Sequence, residues 1–492
     1  MASRPLSWLL SHCIHLELKM SRTIYFSNIT LALTLLASCG LKLDKKNDKQ
    51  DDIRPETSSP SSDIRWLAAE DPNCMTSGTS TRITSATIYQ WDGLQTSPKA
   101  VQIPGATVDD KEFATQNILA SAINYSQNYK CTINEAGERK CVNATKDNTS
   151  YKWLRICRSN ATYARDSLEA MTLTAMYFTE SAYRFYNSIA GNMSGISKSL
   201  LISQPKITRE IIKTNGEVKN RVDSDNAAFA ELPASGNSPS YGLFMIYPTT
   251  QGWFTRNKNN LWEIPFVMNH EFGHHVFSHY IKESAESTGL TIKARNGLDS
   301  IMPNRDNELK QRMSLTTDTA QLALDGVNEA FADLYAYFAG NSARDQLKGI
   351  ECLAISRDPA SAVTRAGQQK GLDQSRIDIY EGRRSSTSAN NDCYEPSYDD
   401  EHDIAVALGQ PLARFIETMA PQAQGKDRAR YLLVWASRMQ TLLNQGRSNV
   451  TVDTLVRELI LGAKSFGNSS LACRELMPRI SGLSASVAAC NQ

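Results

Sequence analysis

Histidine is scarce in this chain, and most of it is concentrated in one place. Only 7 of the 492 residues are histidines. His12 and His15 lie at the N-terminus in a leader-like segment, and four of the other five fall within residues 270–279. A chain with so few histidines that places most of them side by side is more typical of a functional site than of core packing.

Other features are missing, and each absence excludes a class of protein. The formal net charge is +1 and no cluster of basic residues recurs, so nothing indicates a nucleic-acid partner. No Cys-x-x-Cys pair occurs, which argues against a zinc cluster built from cysteines. Apart from the N-terminal leader there is no long apolar run, so no transmembrane span is predicted. No internal repeat is visible.

The cysteines that are present indicate an exported protein. Of 10 cysteines, Cys13 and Cys39 fall in the leader, which leaves an even number for disulfides. Free buried thiols remain the alternative. The pairs that we expect are Cys131–Cys141, Cys352–Cys393, Cys473–Cys490 and Cys74–Cys157.

The leader itself resembles a bacterial lipoprotein signal. Residues 20–39 contain one arginine, an apolar stretch of about ten residues and then small residues, as in secretory signals. The ending Leu36-Ala-Ser-Cys39 resembles a lipobox, in which Cys39 is acylated; the alternative is a plain signal peptide with a coincidental cysteine. We therefore expect an exported lipoprotein, anchored to a bacterial membrane and facing the periplasm or the cell surface. Met20 is a possible start.

The histidine cluster contains the pattern His270-Glu271-x-x-His274. On a helix, residues four apart share a face, so the two imidazoles can occupy adjacent corners of a Zn²⁺ tetrahedron. Glu271 lies beside them as a candidate general base. The flanking apolar spacing and Pro265 predict a helix. The alternative is a helix with surface histidines.

A third ligand is offered by a second predicted helix. Glu329 and Asp333 are spaced four apart, so their carboxylates share one helix face. One can bind metal while the other accepts a hydrogen bond from a ligand imidazole. An exposed acidic pair is the alternative. Gly273, inside the first helix, lowers helix propensity and is best explained by the close approach of another element.

These segments resemble the thermolysin-type neutral metallopeptidases, the gluzincins. The resemblance is carried by His270–His274 and by Asn328-Glu-Ala-Phe-Ala-Asp333. It implies Zn²⁺ as cofactor and one set of roles: His270, His274 and Glu329 as zinc ligands, Glu271 as general base and Asp333 as the carboxylate that orients a ligand histidine.

The resemblance also implies residues outside the two motifs. His402 corresponds to the histidine that stabilises the oxyanion; an ordinary exposed histidine at a helix start is the alternative. The neighbouring Asp399 or Asp400 is predicted, from its charge, to orient the ring of His402. The stretch that begins Asn226-Ala227 and continues at 242–247 is similar to the family's substrate-binding edge strand, so Asn226 and Ala227 are predicted to bind substrate.

Three departures from the family pattern are visible. The gap between the motifs is long, so 285–320 is predicted to be an insertion. Arg357-Asp-Pro-Ala360 is similar to a family stretch, but Arg357 is shifted from the position of the substrate-carbonyl arginine. No calcium loop is apparent, and calcium is not predicted.

Together these observations predict an α+β, two-lobed zincin fold and a zinc-dependent endopeptidase. The alternative is a non-catalytic or wall-directed surface lipoprotein that retains a zinc site. The expected partners are a protein or peptide substrate and a lipid anchor, and the chain is expected to be a monomer. The predicted segments are a leader at 1–39, a disordered tether at 40–65, a β-rich region at 66–157, a catalytic N-lobe at 158–284, the insertion at 285–320 and a helical C-lobe at 321–492.

Overall fold

The computed structural model describes a large part of the chain after residue 81. The described residues are 82–92, 95–107, 120–133, 139–143, 152–153, 162–190, 196, 200–212, 215–222, 227–232, 241–246, 260–292, 318–340, 357–364, 367–381, 401–423, 425–466 and 469–492. Several predictions lie outside these residues. They concern the leader with Cys39, the tether at 40–65, the pairs Cys74–Cys157 and Cys352–Cys393, Asn226, Asp399, Asp400 and most of the insertion.

The strands form two sheets within the described residues. One is an antiparallel pair, β1 (Arg82–Trp91) and β2 (Thr96–Thr107). The other has seven strands: β3 (Ala120–Ile133), β4 (Arg139–Asn143), β5 (Lys152–Trp153), β6 (Leu200–Ile212), β7 (Val218–Val222), β8 (Ala227–Leu232) and β9 (Tyr241–Ile246). Its strand order is β4-β3-β6-β9-β8, with β5 paired to β3 and β7 paired to β6. The β3–β6 and β6–β9 pairs are parallel and the others antiparallel.

The sheet order corrects one prediction. The segment 242–247 was expected at a sheet edge, but β9 lies between β6 and β8, paired to both. Among the described strands it is β8 that ends the path, so the edge near the predicted substrate segment is formed by Ala227–Leu232.

The remaining described elements are helices, in agreement with an α+β fold. From residue 318 onward they account for most of the described chain. Their bounds are α1 (Leu168–Ala190), α2 (Pro265–Ser287), α3 (Thr319–Phe338), α4 (Gln374–Tyr380), α5 (Glu401–Met419), α6 (Gly425–Leu443), α7 (Val452–Ala463), α8 (Ser469–Leu476) and α9 (Ser484–Asn491). None of the helices among the described residues is both long enough and apolar enough to cross a membrane.

Helix α2, which carries the HExxH motif, is buried almost all round. It begins at Pro265, whose fixed φ suits the first helical turn. Phe272, Val276 and Phe277 are completely buried, and the helix packs against α1, α3, α6 and β8. Burial of this length of helix excludes the alternative of a surface helix with exposed histidines, because His270 and His274 are 3% and 4% exposed.

Two glycines set the spacing of the helices around the site. A Cβ placed on Gly273 of α2 would lie 2.7 Å from Cα of Ala332 in α3, closer than real Cβ contacts occur. A Cβ on Gly326 of α3 would lie 2.7 Å from Cγ2 of Ile404 in α5. The predicted close approach at Gly273 is therefore confirmed, and α3 is pressed between α2 and α5.

The described flanks of the predicted insertion are joined to each other. Helix α2 continues to Ser287, and α3 begins at Thr319 with Asp318 as its N-cap. The Asp318 carboxylate accepts a hydrogen bond from the backbone N–H of Gln321. The Gln321 side chain accepts from Thr291 N at 2.9 Å and donates to Thr291 O at 2.6 Å. The chain thus leaves α2 and enters α3 at neighbouring points.

One predicted disulfide is formed among the described cysteines. Cys473 of α8 is bonded to Cys490 of α9, with a sequence separation of 17. Cys131 and Cys141 are direct backbone partners across the antiparallel β3–β4 pair.

Candidate metal centre

The three predicted ligands converge between α2 and α3. His270 and His274 lie one turn apart on α2, and Glu329 lies on the facing side of α3. The Nε2 atoms of His270 and His274 are 3.0 Å apart. Glu329 Oε2 is 3.5 Å from the first and 3.7 Å from the second. One donor atom from each of the three buried side chains lies within 4.8 Å of the others, so they can hold a single metal ion.

These distances fit the donor set of a zinc ion. At Zn–N and Zn–O bond lengths of about 2.0–2.1 Å, two corners of a tetrahedron are roughly 3.3–3.4 Å apart. The three donor separations of 3.0, 3.5 and 3.7 Å bracket that value. Two imidazoles and one carboxylate are also the ligand set of catalytic zinc sites that keep one open position.

Each imidazole is oriented through its other nitrogen. Nδ1 of His270 lies 3.0 Å from Asp333 Oδ1, and Nδ1 of His274 donates to Asn328 Oδ1 at 3.0 Å. These contacts leave both Nε2 atoms directed toward Glu329. Asp333 was predicted for this role, but Asn328 was not. Its signal was its place in the Asn-Glu-Ala-x-x-Asp pattern, directly before the ligand.

Arg357 joins the centre from outside the two helices. Its Nε lies 2.7 Å from Asp333 Oδ2, and its Nη2 donates to Asp333 Oδ1 at 3.0 Å and to Glu329 Oε2 at 3.1 Å. A guanidinium held by both carboxylates fixes their orientation and their charge. The shifted arginine therefore reaches the metal centre in spite of its altered position in the sequence.

Burial and these contacts shift the pKa values of the ligands in different directions. Burial lowers the pKa of His270, but its hydrogen bonds to Asp333 and Glu329 outweigh burial and raise that pKa to about 10. Burial lowers the pKa of His274 to about 4. Burial raises the pKa of Glu329, yet the nearby histidines and Arg357 hold it well below its usual value. The site thus keeps an ionised carboxylate ready for a cation.

The two predicted catalytic residues are buried, and one of them has a contact with the triad. Glu271 follows His270 on α2 and is completely buried. His402 lies in the first turn of α5, 6% exposed, with its Nε2 3.6 Å from Glu329 Oε1. His402 thus approaches Oε1 of Glu329, whereas the two imidazoles approach Oε2.

The predicted substrate segment lies beside the motif helix. Ala227 opens the edge strand β8 and is buried, whereas Asn226 lies outside the described residues. The ring of Phe229, two residues on, lies 5.3 Å from that of His275 on α2. The edge strand is therefore packed on the helix that carries the ligands.

Comparison with known proteins adds no family to this geometry. No protein-family model and no curated protein matches the chain. The arrangement is a buried group of two histidines and one glutamate that can hold a metal ion.

Proposed function

We propose that this protein is a zinc-dependent endopeptidase. The observation that carries the proposal is the convergence of His270, His274 and Glu329 in one buried cluster whose donor separations suit zinc. A structural zinc site would use four protein ligands, whereas the described side chains supply three. Glu271, which directly follows the ligand His270 in the chain, supports hydrolysis rather than metal storage.

A zinc ion held there would polarise a substrate carbonyl and lower the pKa of a water molecule toward neutrality. Glu271, buried and next to a ligand in the chain, is suited to accept the proton of the attacking water. The same carboxyl group would then pass that proton to the leaving amine. Burial keeps Glu271 away from bulk water during both transfers.

His402 is the proposed donor to the developing oxyanion. It enters from a third element, α5, while the zinc ligands come from α2 and α3, so it can face the substrate from a different side. A preorganised donor of this kind contributes about 3 kcal/mol in comparable sites.

The substrate is proposed to lie extended along the edge strand β8. Its backbone would add main-chain hydrogen bonds to Ala227–Leu232, in place of the segment 242–247 that the sequence suggested. Such recognition uses the peptide backbone and accepts many sequences, which fits an endopeptidase.

The test compares Glu271→Gln with the wild-type full chain. We expect one bound zinc per chain in both, casein cleavage that a chelator abolishes in the wild type, and a loss of cleavage of at least about 10³-fold in the variant. Glu286→Gln, an exposed change on the same helix, is the control and is expected to keep full activity. A wild type that binds zinc without cleaving peptides would favour the alternative of a non-catalytic surface protein.

We also propose that the enzyme is an exported lipoprotein anchored through Cys39. The lipobox-like sequence Leu36-Ala-Ser-Cys39 supports this. Expressed in a bacterium, the wild type should fractionate with membranes, and Cys39→Ser should not incorporate labelled fatty acid. Equal labelling of both proteins would contradict the anchor.

A further inference from the structure

A buried lysine contacts the segment that carries Arg357, and the proposed mechanism does not use this lysine. Lys370 is 2% exposed. The stretches 357–364 and 367–372 run side by side there: Lys370 N donates to Ala362 O at 3.0 Å, and Val363 forms an antiparallel bridge with Gln369. Lys370 therefore lies opposite the segment that begins with Arg357.

The side chain of Lys370 reaches back toward the beginning of that segment. Its Nζ donates to the backbone carbonyl of Asp358 at 2.8 Å, and the same carbonyl accepts from Ser361 N at 3.1 Å. Asp358 follows Arg357 directly, so the lysine fixes the peptide next to the arginine that bridges Asp333 and Glu329.

Burial of an ammonium group is costly, and the surroundings offset it only in part. Burial lowers the pKa of Lys370 to about 8, while the charges of Asp358 and Asp333 act in the opposite direction and that of Arg357 in the same direction.

Lys370 is itself held in place from the other side. Two residues on, Leu372 N donates to Arg479 O at 2.8 Å, and Gly482 N donates to Leu372 O at 3.0 Å. The segment of Arg479 and Gly482 lies inside the loop closed by the Cys473–Cys490 disulfide. The lysine thus extends from an anchored backbone toward the metal centre.

We propose that Lys370 is a positioning residue for the metal centre, acting through Arg357. By holding the Asp358 carbonyl it keeps the Arg357 guanidinium against Glu329 and Asp333. It thereby orients the zinc ligand Glu329, and also Asp333, the carboxylate beside the second ligand His270. This inference rests on the proposed function, since it concerns the affinity and reactivity of the same site.

A purely electrostatic role and a positioning role of Lys370 predict opposite changes in zinc affinity when the lysine is removed. If the ammonium acts only as a nearby positive charge, its removal reduces repulsion and zinc binds more tightly. If it positions Arg357, its removal loosens Glu329 and His270 and zinc binds more weakly, by about 10-fold, as for other groups that support metal ligands. The sign of the change separates the two.

The experiment measures zinc affinity, by competition with a chromophoric chelator, together with kcat and KM for a peptide. For Lys370→Met we expect affinity about 10-fold weaker and kcat lower by a similar factor, with KM changed less than about 2-fold. Lys370→Arg, which keeps a charged donor, should recover most of both. Lys426→Met, an exposed lysine on α6, is the control and should match the wild type.

A double-mutant cycle tests the route through Arg357. Arg357→Gln alone should weaken zinc binding by about 10–100-fold, and adding Lys370→Met to it should change affinity less than about 2-fold further. Additive losses would overturn the proposal, as would tighter zinc binding by Lys370→Met alone. If Lys370→Met does not fold by circular dichroism, Lys370→Gln replaces it with the same expectations.

The outcomes for the wild type keep this inference separate from the proposed function. A wild type that takes up no zinc would refute the peptidase itself. A wild type that binds zinc and cleaves peptide, while Lys370→Met equals it in affinity and kcat, would refute the positioning role and leave the peptidase intact.

Discussion

At the scale of single residues, the orientation of His274 depends on one amide. Nδ1 of His274 donates to Asn328 Oδ1 at 3.0 Å, and both side chains are buried. Asn328→Ala removes the acceptor, so the ring loses its preferred orientation and its tautomer. We expect zinc affinity to fall by about 10–100-fold, measured by chelator competition.

Two further variants make this prediction specific. Asn328→Asp keeps an acceptor oxygen and should lose less affinity than Asn328→Ala. Asn444→Ala changes an exposed asparagine after α6 and should have no effect. Equal affinity of Asn328→Ala and wild type would show that the ring is held by other contacts.

The ligand pKa values predict how zinc binding depends on pH. His270, with a pKa of about 10, carries a proton in the metal-free protein at neutral pH, and zinc has to displace it from Nε2. His274, with a pKa of about 4, is already neutral there. Affinity should therefore rise roughly tenfold per pH unit between about pH 6 and 8, with one proton released per zinc.

Calorimetry in two buffers of different ionisation enthalpy counts these protons. Asp333→Asn removes the carboxylate that raises the pKa of His270, so its proton release should fall below one near pH 8. Release of no proton, or of two, by the wild type would contradict the assignment. In the metal-free protein the raised pKa stabilises the fold fully below about pH 6.5, and this contribution is lost as pH rises through about 10.

The candidate ligands His270 and His274 could be predicted from sequence because their geometry is local. A spacing of four on a helix places His270 and His274 on one face whatever surrounds the helix. Lys370 could not be predicted. It lies in a segment without helical or strand periodicity, and its meeting with Asp358 depends on the path of the chain between them. Arg357 was noticed, but its contacts with two carboxylates of α3 arise only from tertiary packing.

At the scale of elements, the site depends on how closely α2 and α3 approach. Gly273→Ala would place a Cβ 2.7 Å from the Cα of Ala332, so one backbone has to move. Overpacking of this kind costs about 1–3 kcal/mol, and the gain in helix propensity of about 1 kcal/mol offsets only part of it. We expect a lower urea midpoint and weaker zinc binding, because Glu329 moves away from the histidines.

The chain offers a matched control for this change. Gly409 also lies inside a helix, α5, but a Cβ there would meet nothing within 4 Å. Gly409→Ala should therefore gain helix propensity without a clash, raising stability by up to about 1 kcal/mol and leaving zinc affinity unchanged. If both variants behaved alike, the close contact at Gly273 would not be limiting.

Helices could be predicted from sequence where apolar residues recur with a helical period. The order of strands in the sheet could not, because it depends on pairing between distant segments. The spacing of apolar residues predicted a helix at each of the two motifs, and α2 and α3 are found there. The position of β9 inside the sheet was not predictable, since its central place results from pairing with β6, a strand some forty residues earlier. Strand alternation shows which residues share a face and leaves the order of strands open.

At the scale of the whole molecule, the C-terminal helices pack against the elements that surround the metal centre. Helix α8 packs on α5, which carries His402, and α9 packs on α7. Between them Arg479 and Gly482 pair with Leu372, two residues beyond Lys370. The sequence showed two cysteines at a spacing suited to a local disulfide. The contact of the enclosed segment with the stretch around Leu372 became visible only in the fold.

This arrangement predicts what happens when the Cys473–Cys490 bond is removed. The bond closes a loop with a sequence separation of 17, and a cross-link of that size contributes about 3 kcal/mol by limiting the unfolded chain. In the double variant Cys473→Ala with Cys490→Ala, amide hydrogens of α9 should exchange up to about 100-fold faster. The reason is that the free energy of local opening falls by about 3 kcal/mol. Each single variant already breaks the cross-link, so either one should show most of the acceleration, and the double variant little more. Exchange in α9 that is unchanged in all three variants would mean that packing against α7 holds this helix without the disulfide.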